Sequence, residues 1–407
     1  MNFIEGGVCA PQGFKASGVI CGIRPNPQKN DLGLVASDGP CTSAGVFTKN
    51  QVKAAPVLLD IETVKHGVSR AIIANSGIAN ACAEDCEINA KKMQQLCAKE
   101  LDLKEEEVLV CSTGIIGQRL NIEAIEKGLP ELVHSLSSSA EGSDAAARAI
   151  MTTDTVKKEQ AVEIEIQGIP VKIGAITKGS GMIHPNMGTM LCFATTDCAI
   201  SAKMLQKALK SACDVSFNRI SVDGDTSTND SFLILANGYA GNPEITEEDE
   251  AFDCFVEALT AVSQDLARRM AADGEGAKHL ITCTVDGAGS EKDAETLAKS
   301  VISSSLTKAA IFGNDANWGR VLAAMGYSGV AFDPNLVDIS FRSKEGVILV
   351  CEKGHGLVFD EELATKILAQ EEVEILCSIQ GNGTGKATCW GCDLTYDYVQ
   401  INGDYRS

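Results

Sequence analysis

The chain has 407 residues, 44% of them apolar and 22% charged, with 38 glycines and a formal charge of −20. This length exceeds one ordinary hydrophobic core and suits two or three domains or lobes, and the composition is that of a folded α/β protein rather than a disordered one. The acidic balance argues against binding a phosphate backbone. The first residues carry neither a basic nor an apolar leader and no apolar run is long enough to span a bilayer, so a cytoplasmic protein is expected, with no membrane and no nucleic-acid partner.

Taken in chain order, the spacing of Leu, Ile and Met predicts helices over 87–101 and 122–135, the second capped by Asn121. Between them an apolar run, 108–110, leads into residues 111–117 (CSTGIIG). A strand ending there presents the Thr113 hydroxyl and the Gly114 N–H to one point, as an oxyanion hole requires, although an ordinary turn has the same letters. Residues 162–166 (VEIEI) and 171–176 (VKIGAI), separated at Gln167 and Gly168, read as a β-hairpin. The hairpin delivers Lys178 and the glycine-rich run 178–191 (KGSGMIHPNMGTML), which turns apolar as a buried strand over 190–194.

Thr189 sits at that junction after Gly188. A threonine placed so can attack its own preceding peptide bond. Once the bond opens, hydroxyl and α-amine lie on one terminal residue, and an amine with a reference pKa of about 8 can act as base for the hydroxyl. This gives the one division with a chemical reason, 1–188 and 189–407, with a softer lobe boundary expected near 280–290.

Downstream, helices are expected near 202–213, 248–271 and 292–308, then strands over 373–379 and 392–401. Residues 223–230 (DGDTSTND) either line a site or bond their own backbone. Glu275 lies between two glycines, exposed to solvent or aimed at a cation. Residues 381–386 look like a phosphate loop, but Gln380 and Ala387 stand where glycine and Ser/Thr are needed, so a tight hairpin turn is expected. The sixteen cysteines read as small buried apolar residues; neither Cys82 with Cys86 nor Cys389 with Cys392 has the second pair or histidine that a zinc site wants, and no metal is expected.

Together, residues 6–15 (GGVCAPQGFK), 111–117, 149–154 (AIMTTD), 178–191, 223–230, 274–276, 313–320 (GNDANWGR) and 396–407 (YDYVQINGDYRS) resemble, in order and over nearly the whole chain, the ornithine acetyltransferase family, also called glutamate N-acetyltransferases. The resemblance implies a self-processing α/β fold with two lobes of mixed β-sheets flanked by helices. It implies a cut between Gly188 and Thr189 and a heterotetramer of two α and two β pieces. The activity implied is acetyl transfer from N-acetylornithine to glutamate through an acetyl-Thr189 enzyme, releasing ornithine and N-acetylglutamate, with no cofactor. Acetyl-CoA is a further co-substrate of many members.

By position, Thr113 and Gly114 match the oxyanion hole, and Thr152, Lys178, Thr189, Glu275, Asn402 and Ser407 match substrate contacts, with Thr153 the alternative to Thr152. The family usually has alanine at positions 184 and 188, here His184 and Gly188, and a terminal threonine in place of Ser407. Glycine is conservative for the cut; His184 adds a titratable ring that either tunes processing or packs in the loop. A self-cleaving aminopeptidase or amidase and an unprocessed binding protein are the competing readings.

Overall fold

A computed structural model describes residues 1–24, 28–184 and 190–404. Two compact units partition the chain: residues 1–218 with 225–266, and residues 219–224 with 267–404. The main passage between them, 266 to 267, lies inside the helix Glu250–Ala272, ahead of the 280–290 stretch. Among the described residues the strands form two mixed sheets of nine and seven strands, flanked by helices, as the family resemblance implied.

In the first unit the sheet order is Asn2–Ile4, Lys158–Ile166, Ile169–Lys178, Leu191–Thr196, Ser231–Ala236, Leu32–Phe47, Val68–Ile78 and Val108–Ile115, with Phe14–Val19 paired to Leu32–Phe47. Two parallel pairs have helical crossovers. Helix Cys86–Glu100 links Val68–Ile78 to Val108–Ile115, and helix Ala202–Asp214 links Leu191–Thr196 to Ser231–Ala236.

The period of two sorts the side chains between two cores. Ala71, Ile73, Val108 and Val110 face helices Cys86–Glu100 and Ile122–His134, whereas Ile72, Ala74, Leu109 and Cys111 share a core with Ala146, Ala147 and Ile150 of helix Ala140–Ile150. Strands buried on both faces read as continuous apolar runs, which is why 108–110 and 190–194 stood out.

Two local features of this unit form where expected. Asn121 caps the helix Ile122–His134 by accepting the Ala124 N–H at 3.1 Å. Gln167 and Gly168 both take positive φ, 51° and 81°, the mirror-image turn that suits a two-residue hairpin.

In the second unit the order is His355–Gly356, Gly346–Glu352, Val337–Ser343, Glu372–Ile379, Leu280–Ala288, Gly385–Cys392 and Ile220–Ser221. Three expectations are corrected here. Residues 380–385 do not turn a hairpin: they pass over the end of Leu280–Ala288, which lies between the two strands they join. Glycine is needed in that crossing, because a Cβ at Gly383 or Gly385 would overlap the carbonyls of Gly287 or Ser290.

The single helix expected over 292–308 is two, Glu291–Ser303 and Ser305–Phe312. Ser304 leaves the helical region and caps the second by accepting the Thr307 N–H at 3.3 Å. The strand expected over 392–401 ends at Cys392. A helix, Tyr396–Asp404, follows, its start fixed by Thr395 Oγ1, which accepts the Tyr398 N–H at 3.3 Å.

All sixteen cysteines are free thiols, buried except for Cys21, Cys82 and Cys254. Among the described residues no group of three His, Cys, Asp or Glu side chains is placed to hold a metal ion, and no helix is long and apolar enough to cross a membrane.

One buried acid makes stability depend on pH. Asp60, in helix Ala55–Thr63, is fully buried and accepts the Val110 N–H at 2.8 Å. Burial raises its pKa well above the usual carboxylate range, against the opposing pull of the Val110 amide. The folded chain therefore holds this proton more tightly than the unfolded one. Its contribution is fully present below about pH 4 and is lost as pH rises through the raised folded value. Asp60→Asn keeps an acceptor for Val110 and removes that loss. Its Tm relative to wild type should climb between pH 4 and 7, on the order of 2–4 °C per kcal/mol, in paired calorimetric scans. A constant offset would show that Asp60 ionises normally.

Candidate active site

Thr113 and Gly114 close the strand Val108–Ile115 at the edge of the first unit's sheet, in parallel register with Ser76 and Gly77. Gly114 has φ 131°, a region that side chains avoid. A Cβ there would overlap the Gly77 carbonyl. The strand end is pinned from the side: Ser112 Oγ donates to Asn75 Oδ1 at 2.6 Å, and Asn229 Nδ2 donates to the carbonyls of Ala79 (2.6 Å) and Ser112 (2.8 Å).

Lys178 ends the strand Ile169–Lys178 and is 7% exposed. Its ammonium donates to Thr113 Oγ1 at 3.4 Å, joining residues 65 apart in sequence. The hairpin and the strand-end motif therefore meet.

Thr152 is linked to the same place through Asp154. The carboxylate accepts the Thr152 N–H on Oδ2 at 3.0 Å, and on Oδ1 it accepts the Gly179 N–H and the Lys158 ammonium, each at 2.8 Å. Lys158 and Asp154 are wholly buried. Burial alone would raise the Asp154 pKa, but the ammonium groups of Lys178 and Lys158 hold it far below the usual carboxylate range.

Residues 223–230 bond within themselves, the Asn229 N–H donating to Ser227 Oγ at 3.2 Å, and also to neighbouring segments. Thr226 Oγ1 donates to the His184 carbonyl at 2.8 Å and bridges Ile183, packing the stretch onto the glycine-rich run, while Asn229 ties the strand ends. Asp230 is buried, with one carboxyl oxygen, Oδ2, lacking a hydrogen-bond partner among the described residues. Desolvation pushes its pKa well above the usual range despite the Ser227 hydroxyl and the Lys178 charge.

In the second unit, Asn402 Nδ2 donates to Glu275 Oε2 at 2.7 Å and to the Tyr398 carbonyl at 3.0 Å. Glu275 is half-buried and Asn402 exposed. Their meeting depends on Gly276, φ 69°, whose Cβ would crowd the Tyr398 N at 2.7 Å, and on Thr395 Oγ1 donating to the Gly276 carbonyl at 2.8 Å. A buried pair braces this segment: His279 Nδ1 lies 3.0 Å from Asp393 Oδ2, and Asp393 Oδ1 accepts the Lys278 and His279 amides.

Of the residues singled out from sequence, Thr113, Gly114, Thr152 and Lys178 thus gather in the first unit and Glu275 and Asn402 in the second. Gly188, Thr189 and Ser407 lie outside the described residues. Lys158, Asn229 and Asp230 carried no separate signal of a role, since their partners are distant or look exposed in the string; Asp154 was visible only as part of a motif.

Comparison with known proteins bears on the whole chain. The ArgJ family model matches residues 15–407. The "Arginine biosynthesis bifunctional protein ArgJ" of Caldanaerobacter subterraneus is 48% identical over 100% of both chains. "Arginine biosynthesis bifunctional protein ArgJ 1" of Clostridium acetobutylicum is 51% identical over 97% of this chain and 96% of its own. The crystal structure of arginine biosynthesis bifunctional protein argJ from Bacillus halodurans is 42% identical, covers 52% of this chain and 98% of its own, and superposes with a TM-score of 0.50. The chain therefore belongs to the ArgJ family, the arginine-biosynthesis acetyltransferases that its ordered segments resemble.

Proposed function

We propose that the chain cuts itself between Gly188 and Thr189 and then moves acetyl groups from N-acetylornithine to glutamate through an ester on Thr189. The observation that carries this reading is the buried contact between Lys178 and Thr113 beside Gly114, at the base of the run that leads to Thr189. It supports a cation for an amino-acid carboxylate next to two donors for an oxyanion.

In the cut, the Thr189 hydroxyl adds to the Gly188 carbonyl and the peptide C–N bond breaks. The resulting ester is hydrolysed by water to the Gly188 carboxylate and a free Thr189 amine. In transfer, that amine takes the hydroxyl proton as oxygen attacks the acetyl carbonyl. Thr113 O–H and Gly114 N–H donate to the oxyanion, each worth roughly 3 kcal/mol of barrier.

Collapse expels ornithine, whose amine collects the proton. The glutamate amine then attacks the acetyl ester, and N-acetylglutamate leaves with the threonine hydroxyl restored. Lys178 and Thr152 hold the amino-acid end, and the proposed role of Glu275, with Asn402 and Ser407, is contact with the substrate's charged groups. The cycle needs no metal or organic cofactor; acetyl-CoA serves as a further acetyl donor, and two copies of each fragment assemble.

Intact mass of the denatured protein beside Thr189→Ala tests the core of this. Two fragments in wild type, the second starting at Thr189, and one uncut chain in the variant are expected. An uncut wild type refutes the nucleophile. If cut protein given N-acetylornithine and glutamate yields acetate and no N-acetylglutamate, the amidase reading replaces transfer.

A further inference from the structure

The Thr152, Asp154, Lys158 and Lys178 cluster contains more charge than the proposed chemistry uses. Two ammonium groups, Lys158 and Lys178, are buried around one ionised carboxylate, Asp154. Lys158 is the first residue of its strand and pairs across the sheet with Thr177, the neighbour of Lys178. An unpaired buried charge is costly, and breaking one partner of a buried pair is more costly than removing both.

Asp154 does more than neutralise Lys158. One oxygen receives the amide that follows Lys178 in the chain, Gly179 N–H, at 2.8 Å, together with the Lys158 ammonium. The other receives the amide of Thr152 at 3.0 Å. One carboxylate thus fastens the backbone at both residues offered as contacts for the amino-acid end, from segments 25 residues apart in the case of Gly179. Amides bonded to a carboxylate are charge-assisted and directional.

We propose that Asp154 is a positioning residue that sets Lys178 and Thr152 against the same end of the substrate, with Lys158 as its counter-ion. The inference rests on the proposed substrate reading of those two residues. The described contacts of Asp154 are the Thr152 and Gly179 amides and the Lys158 ammonium, so its loss should appear in binding rather than in turnover.

The test is steady-state kinetics with N-acetylornithine and glutamate on wild type, Asp154→Asn, Lys158→Met, the Asp154→Asn/Lys158→Met double variant and Lys178→Met, each checked for fold by circular dichroism. Asp154→Asn should raise KM for both substrates about tenfold or more, the scale of losing a charge-assisted bond, with kcat changed less than about threefold. Lys158→Met should stay within about threefold of wild type in KM, because the Asp154 bonds to both amides remain.

The double variant decides the matter, and it serves even where Asp154→Asn alone does not fold, since replacing both members of a buried pair is commonly tolerated. A KM about tenfold or more above wild type in the double variant supports positioning. A wild-type KM in the double variant, with KM raised in Lys178→Met, means that Asp154 only neutralises Lys158 and overturns the inference alone. An unchanged KM in Lys178→Met overturns the substrate reading and the inference with it.

Discussion

Gly114→Ala should lower kcat for acetyl transfer by about two to three orders of magnitude, the loss seen when one oxyanion donor is removed. At φ 131° the residue occupies a region where L side chains are strained. The added methyl would overlap the carbonyl of Gly77 in the paired strand; a methyl has no alternative rotamer and its neighbour is main chain, so no side-chain movement relieves the clash.

The strand end must therefore swing away from Val68–Ile78, carrying the Gly114 N–H and the Thr113 hydroxyl off line. Upstream, residues 108–111 are buried in both cores and hold their register, so the damage stays local. The expected signature is a folded protein, its Tm lower by a few degrees, whose kcat collapses while a slow self-cut leaves uncut chain visible by mass. Saturation kinetics and calorimetry on the same sample check it. A variant of normal kcat would show that the Gly114 N–H does not face the reacting carbonyl.

How much of this was legible in the sequence depends on how local the cause is. The hairpin over 158–178 is written in alternating residues and a Gln-Gly turn, and the cap at Asn121 in one letter before an apolar stripe. The strand at 108–115 shows as an apolar run because both its faces are covered. By contrast, the break at Ser304 interrupts a continuous helical pattern, and a lone serine inside such a pattern is usually just tolerated. The 380–385 crossing has the composition of a hairpin turn, since both need glycine; here the need comes from carbonyls of a strand nearly a hundred residues earlier.

The site divides the same way. Thr113, Gly114 and Lys178 could be nominated from motifs and from the family resemblance, but their meeting is a property of sheet order. Lys158 heads an alternating strand among glutamates and reads as a solvated charge, yet it is wholly buried because Asp154 lies under it. A four-residue spacing outside a helix carries no such signal.

Lys178→Met should cut kcat/KM about 10- to 150-fold, the worth of a hydrogen bond to a charged group at roughly 1.5–3 kcal/mol. Methionine keeps the length of the stem and fills nearly the same space, so packing is conserved and only the ammonium is lost. Asp154 still has Lys158 and two amides as partners, so no buried charge is stranded and the Tm should hold near wild type. Arginine should not restore the activity, because a planar guanidinium needs room and donors' directions that a site only 7% exposed, built around one ammonium and Thr113, does not offer.

Both N-acetylornithine and glutamate bring an α-carboxylate, so their kcat/KM values should fall together when each is varied against saturating partner. That coupling makes the prediction sharp. A loss confined to glutamate would place Lys178 at the side-chain carboxylate, which ornithine lacks. A loss in kcat with KM unchanged would move its role from holding substrate to polarising the Thr113 hydroxyl that it touches.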